Sequence, residues 1–271
     1  MPYSLNNLTR AQGGSAAYNK RLSICLEADG FSFAEVSADG ALLAFGRADG
    51  RHAATMTDVT REVRALFAEV GIQPLSYKNA EMVVMSDENV WVPDELYEPA
   101  ANRQYMRFVG GVGLNPMTCH CAEIGATAVF SAAERVVTAF KVAVPGVTVL
   151  CQHAKLVQLA PRSADHHLIA TCWRVGRVDV AAFKGGRYLF GNTLSFANDA
   201  EAKYRVLEVL RCYGMESEGT ELMLMGQVDR ERFAQLRPYF PVATLFNGTV
   251  DRQHDPVFKS FHAYRHALIL M

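Results

Sequence analysis

One order of local signals occurs twice along this chain. Leu22 to Leu26, Phe31 to Val36 and Ala41 to Phe45 are short apolar segments divided by Asp29-Gly30 and Asp39-Gly40. Asp-Gly between apolar runs is the chemistry of a tight hairpin, so the three segments read as a meander. Val59, Val63, Leu66, Phe67 and Val70 then recur at helical spacing, with Thr57 or Asp58 placed to cap the start and Gly71 to end the helix. Met82 to Met85 reads as a buried strand. Pro93-Asp94-Glu95-Leu96 reads as the start of a further helix, with proline and acids in its first turn.

The second half repeats the order. His167 to Arg174, Val178 to Phe183 and Tyr188 to Thr193 are again three short segments, broken at Gly176 and at Gly185-Gly186. A helix follows, opened by Asn198 with Glu201 as a capping box, turning Tyr204, Leu207, Leu210 and Tyr213 inward and stopping at Gly214. Leu222 to Met225 is the next strand, with Asp229 as the cap of another helix. Gly30 and Gly176, Gly40 and Gly186, Gly71 and Gly214, and Met85 and Met225 stand at nearly constant spacing. Two copies of a strand-strand-strand-helix-strand-helix unit are therefore expected, the alternative being two unrelated α/β domains that share turn chemistry. The expected division is a mobile, Gly-rich arm over 1–20, a first half over 21–145 and a second over 146–271.

Composition narrows the function classes. With 271 residues, 50% of them apolar, the chain can bury one or two full cores. A net charge of -1 offers no bulk attraction to nucleic acid or to an anionic membrane. No apolar run reaches the length of about 18 residues needed for a membrane-spanning helix, and the first 19 residues lack the apolar core of an export signal, so a cytoplasmic location is expected. The six cysteines are expected to be reduced core residues.

The duplicated unit resembles the ribonuclease H-like unit from which actin and hexokinase are built. More narrowly, Leu22-Ser23-Ile24 with Leu26, Asp29-Gly30-Phe31-Ser32-Phe33, Val92-Pro93-Asp94-Glu95-Leu96-Tyr97, Asn102 and Tyr105-Met106 resemble a Bacteroidetes family of uncharacterised proteins with an actin-like ATPase fold. Pro145-Gly146-Val147 with Cys151-Gln152-His153-Ala154 resembles the crossover into the second half of pilus-assembly proteins of the same superfamily. The resemblance spans about residues 21 to 250 and implies a duplicated α/β fold without naming an activity.

It also implies where a nucleotide would sit. ATP-hydrolysing members end their first strand in an aspartate followed by a Gly-Thr turn, because a carboxylate holds the metal-bound water while backbone amides cradle phosphate. Here Cys25 takes the aspartate position and the turn is Glu27-Ala28-Asp29-Gly30; the matching strand of the second half, Ile169 to Arg174, has no acid and no Gly-rich loop. The adenosine-contacting Gly-Gly is reduced to Gly226 in Met225-Gly226-Gln227. Asp29, Gly30 and Gly226 are thus the candidate remnants of a cofactor site, each with an ordinary turn role as its alternative.

Other chemistry is weaker. Cys119-His120-Cys121, with His153, His166 and His167, could hold metal, but a strand would put His120 on the face opposite the thiols, so no metal site is expected. His262 and His266 share a face if the terminal segment is helical. Gly110-Gly111-Val112-Gly113 lacks the Lys-Ser/Thr of a phosphate loop and reads as a joint after a helix. Tyr97, Tyr105, Met106 and Phe108 form an aromatic stretch suited to a core or a partner surface. A two-metal nuclease needs clustered carboxylates at strand ends, where this chain has Cys25, Met85 and Cys172. The expected function is a non-catalytic scaffold or partner-binding module with an unknown protein partner and no cofactor; the alternative is a divergent ATP-binding protein or ATPase that uses Mg-ATP in the cleft between the halves.

Overall fold

The computed structural model describes residues 3–11, 20–50, 55–77, 79–111, 115–161, 163–248, 256–259 and 261–271. Residues 3–10, expected to belong to an arm, instead form β1 (Tyr3–Arg10), antiparallel to β4 (Leu42–Gly50) at the edge of the first sheet. Tyr3 drives this docking: its ring is buried edge-on against Phe31 at 5.1 Å. The rest of the expected arm, residues 12–19, lies outside the described residues.

The expected meander is present. β2 (Arg21–Glu27), β3 (Gly30–Val36) and β4 pair antiparallel in sequence, with Glu27 opposite Gly30 at the first turn. α1 (Met56–Glu69) buries Val59, Val63, Leu66 and Phe67. Its cap is Thr55, whose hydroxyl accepts from the Asp58 amide at 3.2 Å; Thr57 and Asp58 already lie inside the helix. β5 (Asn79–Val84) returns parallel to β2.

The segment after β5 departs from expectation. Pro93 ends a strand, β6 (Asn89–Pro93); two short 3-10 turns follow before α2 (Asn102–Phe108). The β-branched and aromatic side chains of Val90, Trp91 and Val92 suit a pleated strand, and pairing with β8 (Ala126–Ser131) outweighs the local helix-start signal of Pro-Asp-Glu. β7 (Pro116–Cys121) completes a three-stranded sheet with no counterpart among the described residues of the second half. α3 (Glu134–Ala143) then packs on α1, and β9 (Thr148–Cys151), although it follows Pro145, adds to the first sheet beside β5. α4 (Gln152–Val157) makes the crossover.

The second sheet repeats the first. β10 (His167–Arg174), β11 (Arg177–Lys184) and β12 (Arg187–Ser195) form a meander; α5 (Asp199–Cys212) leads to β13 (Thr220–Gly226), parallel to β10. α6 (Arg230–Leu236) leads to β14 (Ala243–Leu245), parallel to β13. The strand order β4-β3-β2-β5-β9 of one sheet matches β12-β11-β10-β13-β14 of the other. The fold is thus the duplicated ribonuclease H-like α/β fold. Hairpin register corrects one detail: Glu27 pairs with Gly30 as Arg174 pairs with Arg177, so Gly30 corresponds to Arg177 and not to Gly176. The strands likewise match Met225 to Val83 rather than to Met85, since Cys25 pairs with Val83 and Cys172 with Met225.

The expected capping box holds α5: Asn198 accepts from the Glu201 amide at 3.0 Å and Glu201 accepts from the Ala197 amide at 2.9 Å. Among the described residues three large apolar layers result, with a small fourth cluster of Val92, Met106 and Val129 under α2. One lies between the first sheet and α1 and α3, knit by Phe31, Phe33, Phe67 and Phe140 packed edge to face or tilted. Another backs the second sheet with α5 and α6. The third joins the two sheets and takes in the terminal α7 (Ala267–Leu270).

Gly30 is required by close approach of strands: a Cβ there would lie 2.2 Å from the Ala48 carbonyl oxygen, whereas at Gly214, also at positive φ, nothing lies within 4 Å. Gly214→Ala is therefore expected to cost about 1 kcal/mol from backbone strain alone, and Gly30→Ala more than about 2 kcal/mol because β4 must move. Urea unfolding of the two variants measures the difference; equal losses would refute it.

Candidate functional site

A cleft of about 570 Å³ opens between the two sheets, lined by the ends of β2, β10 and β13, the following turns and the C-terminal segment from Arg265 to Ile269. The duplication places Cys25 and Cys172 at equivalent strand positions on its walls. Burial pushes both thiols well above the ordinary cysteine range, reinforced at Cys25 by Glu27 and at Cys172 by Asp179.

Three arginines of the cleft are held by groups of the protein, while a fourth in the lining, Arg265, is exposed with its guanidinium over the Tyr264 ring at 5.9 Å. Arg47 donates to Glu27 at 3.0 Å, to Asp29 at 3.1 Å and to Asp49 at 2.8 Å. Arg174 reaches Asp179 through Nε at 2.8 Å and Nη2 at 2.9 Å, and Asp87 through Nη1 at 2.8 Å. Arg232 lies over the buried Trp173 ring at 4.9 Å, bound to Asp199 and to the Gln227 carbonyl, both at 2.6 Å.

Of the residues singled out in the sequence, Gly226 lines the cleft, while Asp29 and Gly30 sit at the hairpin tip outside the lining. At Gly226 φ is +78°, and a Cβ would meet the Trp173 carbonyl oxygen at 2.3 Å. That carbonyl accepts from the Gln227 amide at 2.8 Å, so the turn's own N–H is spent inside the protein. Cys119 and Cys121 are buried on β7, whereas His120 projects outward to Asp94 at 3.0 Å. His166 binds Glu221 at 2.8 Å, and His167 Nδ1 accepts from the Gly185 amide at 3.1 Å. Among the described residues no three metal-capable side chains converge. His262 and His266 do not share a helix, because Ala263–His266 is a 3-10 turn; the His266 ring stacks on Phe261 at 5.0 Å. Val112 and Gly113 lie outside the described residues. In the aromatic stretch Met106 is core, Tyr97 stacks on Tyr105, and Phe108 is 88% exposed.

The sequence reading missed a buried polar hub beside the cleft. Asp179 is wholly buried and accepts from Arg174, from Gln152 Nε2 at 3.1 Å and from Thr193 Oγ1 at 2.6 Å. Burial opposes ionisation of Asp179, yet the Arg174 and His153 neighbours and these hydrogen bonds hold it below the usual carboxylate range. His153 Nε2 meets Thr193 at 3.1 Å, and burial lowers that imidazole to about 4, so it is neutral at pH 7 and its approach to Asp179 is no ion pair there. The one visible signal was an acid inside the apolar run Val178 to Phe183.

Two measurements check this chemistry. At pH 8.5 iodoacetamide should label Cys212, the exposed cysteine, quickly and the five buried cysteines far more slowly until denaturant is added; rapid native labelling of Cys151 would contradict it. His153 is lowered from 6.5 to about 4, so the unfolded chain takes up its proton first as pH falls. Stability should drop between pH 6.5 and 4 by about 3 kcal/mol from this group, a slope that His153→Gln should flatten in urea titrations at each pH.

Comparison with known proteins agrees with the fold. No curated protein matches the sequence significantly. A Bacteroides thetaiotaomicron protein with an actin-like ATPase fold and unknown function superposes with a TM-score of 0.69 at 16% identity, covering 87% of this chain and 94% of that one. The structure of the PilM-PilN type IV pilus biogenesis complex matches with a TM-score of 0.58 at 14% identity, covering 93% of this chain and 97% of that one. The family model described as "Protein of unknown function (DUF3822)" matches residues 14–242, and the chain belongs to that family.

Proposed function

We propose that this protein is a non-catalytic actin-like scaffold that binds a protein partner, with a degenerate nucleotide site in its cleft. One observation carries this reading: most of the groups that would receive magnesium and phosphate are already committed within the protein, the exposed Arg265 at the cleft being the exception. The strand ends present two protonated thiols, which a hard cation such as magnesium does not favour. Arg47 and Arg174 are neutralised by acids, and the amide after Gly226 is bonded to Trp173. These residues do not fit Mg-ATP.

Two further points support a protein partner. The net charge of -1 gives no attraction to a polyanion, and the PilM neighbour is found in a complex with PilN, so the fold is compatible with partner binding. No described helix is long and apolar enough to cross a membrane. A cytoplasmic location belongs to the same proposal.

The divergent-ATPase reading keeps one observation in its favour, the placing of Gly176 and Gly226 together on the cleft wall. Isothermal titration with Mg-ATP and a phosphate-release assay separate the two. The scaffold reading expects no saturable heat below millimolar nucleotide and no release above background, since losing the organising carboxylate removes on the order of a thousandfold in rate. Micromolar affinity that Arg174→Gln or Gly226→Val weakens would establish an ATP-binding protein instead, and phosphate release that the same variants abolish would establish an ATPase.

A further inference from the structure

The two halves meet at the cleft mouth through two kinds of contact set side by side. The inner one is buried. Gln152, wholly buried at the start of α4, accepts from the Ser86 amide of the first half at 3.0 Å and donates to Asp179 of the second at 3.1 Å. The outer one is exposed. Asp87, directly after Ser86, accepts from Arg174 Nη1 and from Arg177 Nε, each at 2.8 Å. Both arginines flank the tip of the β10–β11 hairpin, where Val175 is 84% exposed, and Arg174, Val175 and Gly176 line the cleft.

These contacts differ in how easily they break. Separating Gln152 from Asp179 would strand buried polar groups, which is costly. Releasing Asp87 leaves a carboxylate and two guanidiniums at a surface where water and salt solvate them. Arg174 need not relax when it lets go, because Asp179 continues to hold its other two nitrogens.

From this arrangement we propose that Asp87 is a releasable catch. It holds the hairpin tip over the cleft mouth, and its release lets the halves open about the buried Gln152 contact. The catch is electrostatic and set by ionic strength, and it operates whatever the cleft binds.

Cys25 and Cys172 report on it directly, since both line the cleft and both are buried when it is closed. Cys151, buried in the core of the first half, serves as an internal control for global loosening. The experiment follows alkylation of each cysteine by peptide mass spectrometry in native wild type, Asp87→Asn and Arg177→Gln, with Glu218→Gln as an exposed-acid control, at low salt and in 1 M NaCl. Asp87→Asn should label Cys25 and Cys172 roughly fivefold faster than wild type at low salt, as expected for losing ion pairs of this kind. Arg177→Gln should give a smaller increase of the same sign. High salt should raise the wild-type rates toward those of Asp87→Asn and leave that variant unchanged, with Cys151 constant throughout. The proposal is overturned if Asp87→Asn matches wild type, if Cys151 accelerates in step, if salt speeds all proteins equally, or if Glu218→Gln has the same effect.

Discussion

Asp179 is an ionised carboxylate buried where the two sheets meet, and the surrounding structure is arranged to keep it so. An unpaired charge at that depth would cost far more than the stability of a domain. Four hydrogen bonds from Arg174, Gln152 and Thr193 prevent this, and each partner commits a different element. Arg174 closes the hairpin on which Asp179 lies, Thr193 brings in β12, and Gln152 ties α4 to the second sheet. Because Gln152 also accepts from the Ser86 amide, satisfying one buried charge orients the first half against the second.

The cleft is a consequence of the same economy of partners. Duplication brings two equivalent strand ends face to face, a geometry suited to holding a ligand between them. In this chain those ends carry thiols, and Arg47, Arg174 and Arg232 are paired with acids of the protein itself. Specific pairing of that kind rigidifies a seam while leaving little charge for an incoming anion. The three-stranded sheet inserted in the first half abuts β12 of the second, where Asn89 reaches Thr193 at 3.4 Å, so the insertion also engages the hub.

Legibility in the sequence followed the range of each interaction. The hairpins, the α5 capping box and the glycines ending α1 and α5 were readable because their physics is completed within a few residues. The Pro93 segment departs from its sequence signal for the converse reason: a helix-start signal is local, but the pairing partner β8 lies more than thirty residues downstream and prevails. Asp29 and Gly30, candidate ligand contacts in the sequence, are occupied with turn geometry and Arg47. Arg174 and Asp87 are 87 residues apart, and no spacing in the chain announces their contact.

Taken alone, the sequence determined two copies of one folding unit, because turn chemistry and apolar periodicity dictate a meander, a helix and a parallel return wherever they recur. The tertiary structure alone decided which charged side chains neutralise one another, which glycines are pressed against a neighbouring backbone and which polar groups are buried. Those outcomes depend on the approach of segments distant in the chain, and the free energy of a charge is set by the groups around it in space rather than by its neighbours in sequence.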